Sequence, residues 1–451
     1  MRSEMEGEGA LAGRSERSAA AAGHPPRIRV PKAVRELVRH LEGEGFETWT
    51  VGGGVRDAVR GSPGNPGDWD LATRATPPRV RRLFRRTVPL GLEYGTVGVF
   101  GSDGNLYEVT TFRHDVITYG RKARVAFADT LEEDLARRDF TVNAMAWHPD
   151  REELRDPHGG RDDLYDGILR TVGNANERFR EDYLRVLRGL RFAGTLGLEI
   201  EGETWDGMVE AVPGLALLSM ERVREELMKV LAGPIPSRAL ALYRRSGALN
   251  RILPEFRNDV AQDALTAVDA LEGPGRALLR MAVLVLFGLD PGADPGEVAD
   301  LLVRLRFSNA EVERIAGAVA GGPGPPQGMA ANRVSRRRWT AAAARTGPAT
   351  VDDVFRIWRA VRPGASGHAD TNEVEPVIAA VKQDLDAGVP TSVAQLAVAG
   401  RDLIARGWLP GPGIGAALRA LLEAVWEDPS LNNRAALLER VAAMDPARTV
   451  R

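Results

Sequence analysis

The hydrophobic period changes near residue 150, and that change constrains the fold more than any other feature of the chain. Before it, runs of both periods alternate. Val34 to Leu41 carries apolar residues at helical spacing and is closed by Gly43, and Glu47 to Val51 reads as a strand running into glycines. Thr76 stands where it can cap a helix whose first turn holds Pro77 and Pro78. Gly95–Phe100 and Leu106–Phe112 are β-rich runs on either side of Ser102-Asp103-Gly104-Asn105, which predicts a hairpin. Past Asp150 helical patterns follow one another, over 176–196, 220–231, 237–246, 261–271, 276–286, 297–305 and 309–319. Gly321–Gly328 (GGPGPPQG) is the clearest linker, and more helices follow it, with a loop at Gly407–Gly413 and a last helix near Arg434–Ala443. No repeat of about 20 to 50 residues supports a solenoid. The fold expected is α+β: a mixed α/β head with an antiparallel-rich sheet over 27–150, then helical segments over 151–232, 233–320 and 329–451. Residues 1–26, small and charged without an apolar run, read as a disordered leader rather than a secretory signal.

Composition narrows the function classes. The 451 residues hold 60 Lys plus Arg against 62 Asp plus Glu, a net charge of -2, which by itself offers no support for nucleic-acid binding. Cysteine is absent, which removes disulfides, thiolate metal sites and cysteine nucleophiles and fits a reducing, cytoplasmic compartment. No apolar run of about 18 residues predicts a membrane span. Only four basic residues are lysines, so nearly all positive charge is guanidinium, the better fork for phosphate.

Four blocks carry candidate chemistry. Gly52-Gly53-Gly54-Val55-Arg56-Asp57 lies at a strand end and opens a helix. Glycines there allow backbone N–H groups to approach an anion, and Arg56 can grip a phosphate, although a plain strand-to-helix turn uses the same residues. Asp68-Trp69-Asp70 reads as strand, so alternation puts both carboxylates on one face, where a divalent cation such as Mg²⁺ relieves their repulsion. Glu108, on the second hairpin strand, is placed to close a three-carboxylate site. Arg138, Asp139 and Asn143 follow in EEDLARRDFTVNAMAW, ahead of an apolar stretch that folds them against the head. In Glu181-Asp182-Tyr183-Leu184-Arg185, read as helix, Asp182 and Arg185 share a face with donors and acceptors suited to a base edge; an intrahelical Glu181–Arg185 ion pair is the simpler reading.

Together these strings (GGGVRD with DWDLATRATP, YEVTTFR, EEDLARRDFTVNAMAW, ERFREDYLRVLRGLRFAGTLGL) resemble the class II tRNA nucleotidyltransferase and bacterial poly(A) polymerase family, densely from about Val51 to Leu231. The resemblance implies a polymerase-β-like head followed by a neck (151–232), a body (233–320) and, after the linker at 321–328, a tail (329–451). It implies template-independent addition of CMP and AMP to the 3′ end of tRNA from CTP and ATP, with pyrophosphate released and two Mg²⁺ ions bound. A poly(A) polymerase, an A-adding enzyme or an inactive RNA-binding relative are the alternatives. By position, Asp68 and Asp70 hold metal, with Glu108 as third carboxylate. Gly52, Gly53, Arg56 and Asp57 surround the triphosphate, and Arg138, Asp139 and Asn143 the sugar. Asp182 and Arg185 read the base, and Arg188 joins the nucleotide-binding set.

Three further expectations concern the rest of the chain. Many bacterial relatives carry an HD-type metal phosphohydrolase region, but residues 159–367 contain no histidine, so Ala277–Asp290 reads as a retained helix without metal ligands. The lone His114-Asp115 falls in a segment, His114–Asp129, that corresponds to the family's flexible specificity loop and reads as mobile. Arg333, Arg336, Arg337 and Arg338 cluster around Trp339 and fit either an RNA contact or a solvated helix start.

Overall fold

The structure, a computed structural model, describes residues 28–61, 69–116, 124–257, 262–345, 348–361 and 371–444. The expected leader, Asp68 and the tip of the specificity loop lie outside the described residues. The chain divides into two compact units, one formed by residues up to 219 together with 238–252 and the other by 220–237 together with 253–451.

In the first unit α1 (Lys32–Gly43) buries Ala33, Val34, Leu37, Val38 and Leu41, the stripe its spacing predicts. It leads into β1 (Thr48–Val51) and, through Gly52, into α2 (Gly53–Val59). Then come β2 (Asp70–Thr73), α3 (Pro77–Leu83), β3 (Thr87–Gly91), β4 (Thr96–Phe100) and β5 (Leu106–Thr111). Thr76 takes the N-cap position of α3 without a side-chain bond, and Pro77 and Pro78 fill the first two helical positions, where no N–H is needed for the helical ladder. Strands β6 (Arg113–Val116) and β7 (Arg124–Phe127) form a separate antiparallel pair, so His114 stands in a strand and not in the loop expected for it. They are followed by α4 (Leu131–Ala136), β8 (Ala146–His148) and β9 (Glu153–Arg155).

Seven strands make one sheet in the order β3-β4-β5-β2-β1-β8-β9. Every pairing is antiparallel except β2 with β5. Alternation separates its faces. Leu71, Val97, Val99, Tyr107 and Val109 are wholly buried on one, while Trp49, Val51, Ala72 and Ala146 on the other pack with Leu131 and Leu135 of α4. That second cluster covers only part of its face. The expected helix over 176–196 is two helices, α5 (Ala175–Glu181) and α6 (Leu184–Leu196). The break is chemical: Asp182 is extended, at φ -153 and ψ 105, and its carboxylate accepts from the Leu184 N–H at 3.0 Å. An aspartate offers the backbone this local alternative to the helical ladder.

The second unit is helical. Arg276–Gly288, the segment read as a retained scaffold helix, is buried along most of its length. Within it Arg280 is 1% exposed and donates to the Leu231 and Gly233 carbonyls, both at 2.7 Å, closing the end of helix Met220–Ala232. Helix Arg333–Arg345 corrects the expected RNA-facing cluster. Arg336 and Arg337 are buried and share the Asp384 carboxylate, each at 2.8 Å. Trp339 packs beside Trp358 and Phe355. Arg338 is exposed and paired to Glu423, leaving Arg333 and Arg338 as the outward members. The local sequence is basic because two of its guanidiniums must neutralise a carboxylate 47 residues away. Arg337→Met is therefore expected to lower the stability of this unit by about 2 kcal/mol, the worth of charged hydrogen bonds, with Arg336 still holding Asp384. Urea unfolding measures it, and a loss under about 0.5 kcal/mol, a surface-substitution value, contradicts the assignment.

Candidate active site

Four residues expected from the sequence converge where β1 ends. The pairing of Val51 with Asp70 sets the start of β2 against the Gly52 turn. Gly52 has φ +75, a left-handed value that favours glycine. A side chain there would also meet its neighbours, since a Cβ would stand 3.3 Å from Asp70 Oδ2 and 3.5 Å from Arg138 Nη1. Loop backbone, carboxylate and guanidinium thus share one spot. Leu71 pairs with Val109 across the parallel β2–β5 ladder, so Asp70 and Glu108, each one residue earlier, stand side by side on the face opposite those buried residues. Gly52→Ala is expected to raise the KM for nucleotide about tenfold, from about 1–2 kcal/mol of backbone strain and the crowding of Asp70 and Arg138. Steady-state kinetics with varied nucleotide is the check, and an unchanged KM contradicts it.

Paired hard oxygen donors on neighbouring strands fit a divalent cation. Among the described residues no group of three or more His, Asp or Glu side chains could hold a metal; Asp68, the remaining expected carboxylate, lies outside them.

Behind the glycine turn runs a chain of buried polar contacts. Arg56 donates from Nε to Asp57 and from Nη1 to Asn143 Oδ1, both at 2.8 Å. Asn143 Nδ2 donates to Asp139 Oδ1 at 3.2 Å, and Asp139 Oδ2 accepts from Arg188 Nε at 2.8 Å and Nη2 at 2.7 Å. Asp139 and Asn143 are buried and engaged with protein partners, so here they fix the guanidiniums of Arg56 and Arg188. Burial raises the Asp139 pKa, but the Arg188 guanidinium and the hydrogen bonds prevail and hold it below the ordinary aspartate value. Arg185, at the start of α6, pairs with Glu181 as its spacing predicts and donates to the Arg178 and Arg137 carbonyls at 3.0 and 3.3 Å. With the helix broken, Asp182 sits at the junction of α5 and α6 rather than on a helical face with Arg185.

Two residues of this assembly escape sequence reading. Asp134, 1% exposed, holds Arg137 at 3.0 Å and Arg138 at 2.9 Å; its spacing of three and four residues from them was the available signal. Its carboxyl, too, lies below the ordinary value, the two guanidiniums outweighing burial. Phe192 carries the Arg56, Arg188 and Arg191 guanidiniums over its ring at 5.3, 5.3 and 4.2 Å, and nothing in its local sequence announces that.

Comparisons with known proteins bear on the family and the fold. Residues 48–170 match the poly A polymerase head domain, and residues 197–259 match the probable RNA and SrmB-binding site of polymerase A. The CCA-adding enzyme of Geobacillus stearothermophilus is 42% identical over 233 residues, 51% of this chain and 56% of that protein. The CCA-adding enzyme of Leuconostoc mesenteroides is 43% identical over 219 residues, 48% of this chain and 54% of that protein. The matched region thus spans about half the length of these curated relatives. The crystal structure of Bacillus stearothermophilus CCA-adding enzyme in complex with CTP superposes with a TM-score of 0.71 at 30% identity, covering 91% of this chain and 98% of that one. The Thermotoga maritima CCA-adding enzyme complexed with tRNA shares the fold, with a TM-score of 0.59 at 20% identity over 92% of this chain and 96% of that one. The chain belongs to the family of CCA-adding tRNA nucleotidyltransferases and bacterial poly(A) polymerases.

Proposed function

We propose that this protein is an RNA nucleotidyltransferase that, without a template, adds CMP and AMP to the 3′ end of tRNA and completes it to CCA. The observation carrying this reading is the convergence of Gly52, Asp70 and Arg138 at one strand end, with Glu108 next to Asp70 in register. In the reaction the terminal ribose hydroxyl loses its proton and attacks the α-phosphorus of the bound triphosphate. A phosphodiester P–O bond forms, the α–β bridging P–O bond breaks, and pyrophosphate departs. Asp68, Asp70 and Glu108 would hold the divalent ions. Two Mg²⁺ ions, when bound, supply the Lewis acidity that eases deprotonation of the hydroxyl and neutralises the leaving group. Gly52 and Gly53 let backbone N–H groups approach the triphosphate, and Arg56 and Arg138 present guanidiniums to it. Asp139 and Asn143 orient Arg56 and Arg188. Asp182 and Arg185 offer acceptors and donors to the base edge, and so choose CTP or ATP. In this reading 151–232 serve as neck, 233–320 as body and 329–451 as tail, and the reaction belongs to the cytoplasm.

Base choice tests the reading. Arg185→Ala is expected to lower the preference for CTP over UTP at least tenfold, the discrimination of one lost base-edge contact, with a thermal midpoint within a few degrees of wild type. Incorporation kinetics on tRNA ending at the discriminator base measures it, and unchanged selectivity overturns the template role.

A further inference from the structure

We propose that the open face of the sheet around β3, β4 and β5, with the arginines that lead onto it, is the surface that receives the unpaired 3′-terminal strand of the RNA; this rests on the reading above. Residues 71–92 contain six arginines and no acidic residue, in a chain whose net charge is -2. Five of the six, Arg79, Arg81, Arg82, Arg85 and Arg86, fall within eight residues on α3 and the turn after it, and all five are exposed. None forms an ion pair among the described residues, whereas exposed arginines elsewhere do, as Arg39 with Asp150, Arg180 with Glu210 and Arg359 with Glu375. Unneutralised guanidinium at this density suits a polyanion.

Strand register carries the patch to the reaction site. Thr87 pairs with Val99, so Arg86, which accepts the Phe100 N–H, lies opposite Phe100, and Phe100 pairs with Leu106. One row further in, Val88, Gly98 and Glu108 are partners. Alternation puts all of them on the face that bears Asp70, opposite the buried Val97, Val99 and Tyr107. The Arg86 guanidinium lies over the Phe100 ring at 4.6 Å, a platform two strand residues from Glu108. Beside it Leu90 and Leu106 are 45% and 37% exposed. Gly98 keeps the surface flat, since a Cβ there would stand 2.7 Å from Val88 and 2.9 Å from Leu90. Phosphate-binding guanidiniums ahead of an aromatic and aliphatic floor suit a single strand, whose bases stack while its backbone is neutralised. The floor ends beside the carboxylates where the 3′-hydroxyl must lie.

The test compares wild type with a triple variant, Arg82→Gln, Arg85→Gln and Arg86→Gln, and with Phe100→Ala, using tRNA that lacks CCA. The triple variant is expected to bind this RNA at least tenfold more weakly, with the slope of log K against log salt reduced by about two. Phe100→Ala is expected to weaken RNA binding about tenfold. Binding of labelled CTP by equilibrium dialysis should match wild type in both. Unchanged RNA affinity and salt slope in the triple variant overturn the inference, as does an equal loss of CTP binding, which signals general damage. If wild type itself adds no nucleotide to RNA, it is the reading of the active site that falls.

Discussion

Asp70→Ala is expected to lower nucleotide incorporation by about a thousandfold or more, because in the proposed mechanism Asp70 and Glu108 together would hold the metals. Loss of one clamp on a two-metal site removes several kcal/mol of transition-state stabilisation, and about 4 kcal/mol corresponds to that factor. The same change should leave the fold intact. Asp70 is half-buried at the first residue of β2 and belongs to no hydrophobic core cluster, so alanine there opens no core cavity. The thermal midpoint should therefore stay within a few degrees of wild type, a shift of about 1 kcal/mol at most. Incorporation measured beside a melting curve separates the two effects. Activity within tenfold of wild type contradicts the assignment of Asp70.

The second large effect belongs to Asp139, whose carboxylate accepts from three groups. Beyond Arg188 and Asn143, its Oδ1 accepts the Phe140 N–H at 2.9 Å. Asp139→Asn removes a carboxylate that faces Arg188 and sets an amide where a guanidinium needs an acceptor. Breaking a buried pair from one side costs about 3–5 kcal/mol, and the first unit should be less stable to urea by about that amount. The KM for nucleotide should rise as well, because Arg188 and, through Asn143, Arg56 lose their anchor. The pH dependence has a definite sign. Asp139 and Asp134 both titrate below the ordinary aspartate value, so the folded state binds fewer protons than the unfolded one in acid. Their contribution is complete above about pH 4, near the unfolded aspartate pKa, and is lost as pH falls further. In Asp139→Asn this acid sensitivity should be smaller. A variant as stable as wild type at pH 7, with the same acid profile, contradicts the network.

Much of the site was legible because its chemistry is local in sequence. The glycine turn, the strand carrying Asp70 and the hairpin carrying Glu108 each announce themselves by period and residue type; the turn and hairpin stand where those patterns predict, while the strand begins only at Asp70, with Trp69 ahead of it and Asp68 outside the described residues. What period cannot supply is the order of strands. That β5 lies between β4 and β2, running parallel to β2, comes from a long-range pairing, and only that pairing sets Glu108 next to Asp70. Asp182 misleads a periodic reading because its own side chain ends the helix that the apolar spacing continues. Arg336 and Arg337 mislead a charge reading because their counter-ion, Asp384, lies on a different helix. In the same way Asp139 and Asn143 have the polarity of ligand contacts but spend it on arginines, which local sequence does not distinguish.

By the proposed function, this chain alone builds CCA on tRNA. A tRNA transcript ending at the discriminator base, incubated with the purified protein, Mg²⁺ and all four nucleoside triphosphates, gives a product whose 3′ ends can be sequenced. Addition of C, C and A in that order, followed by arrest, is the expected result. Extended A tails on this transcript or on an unstructured RNA, or no addition at all, would contradict it.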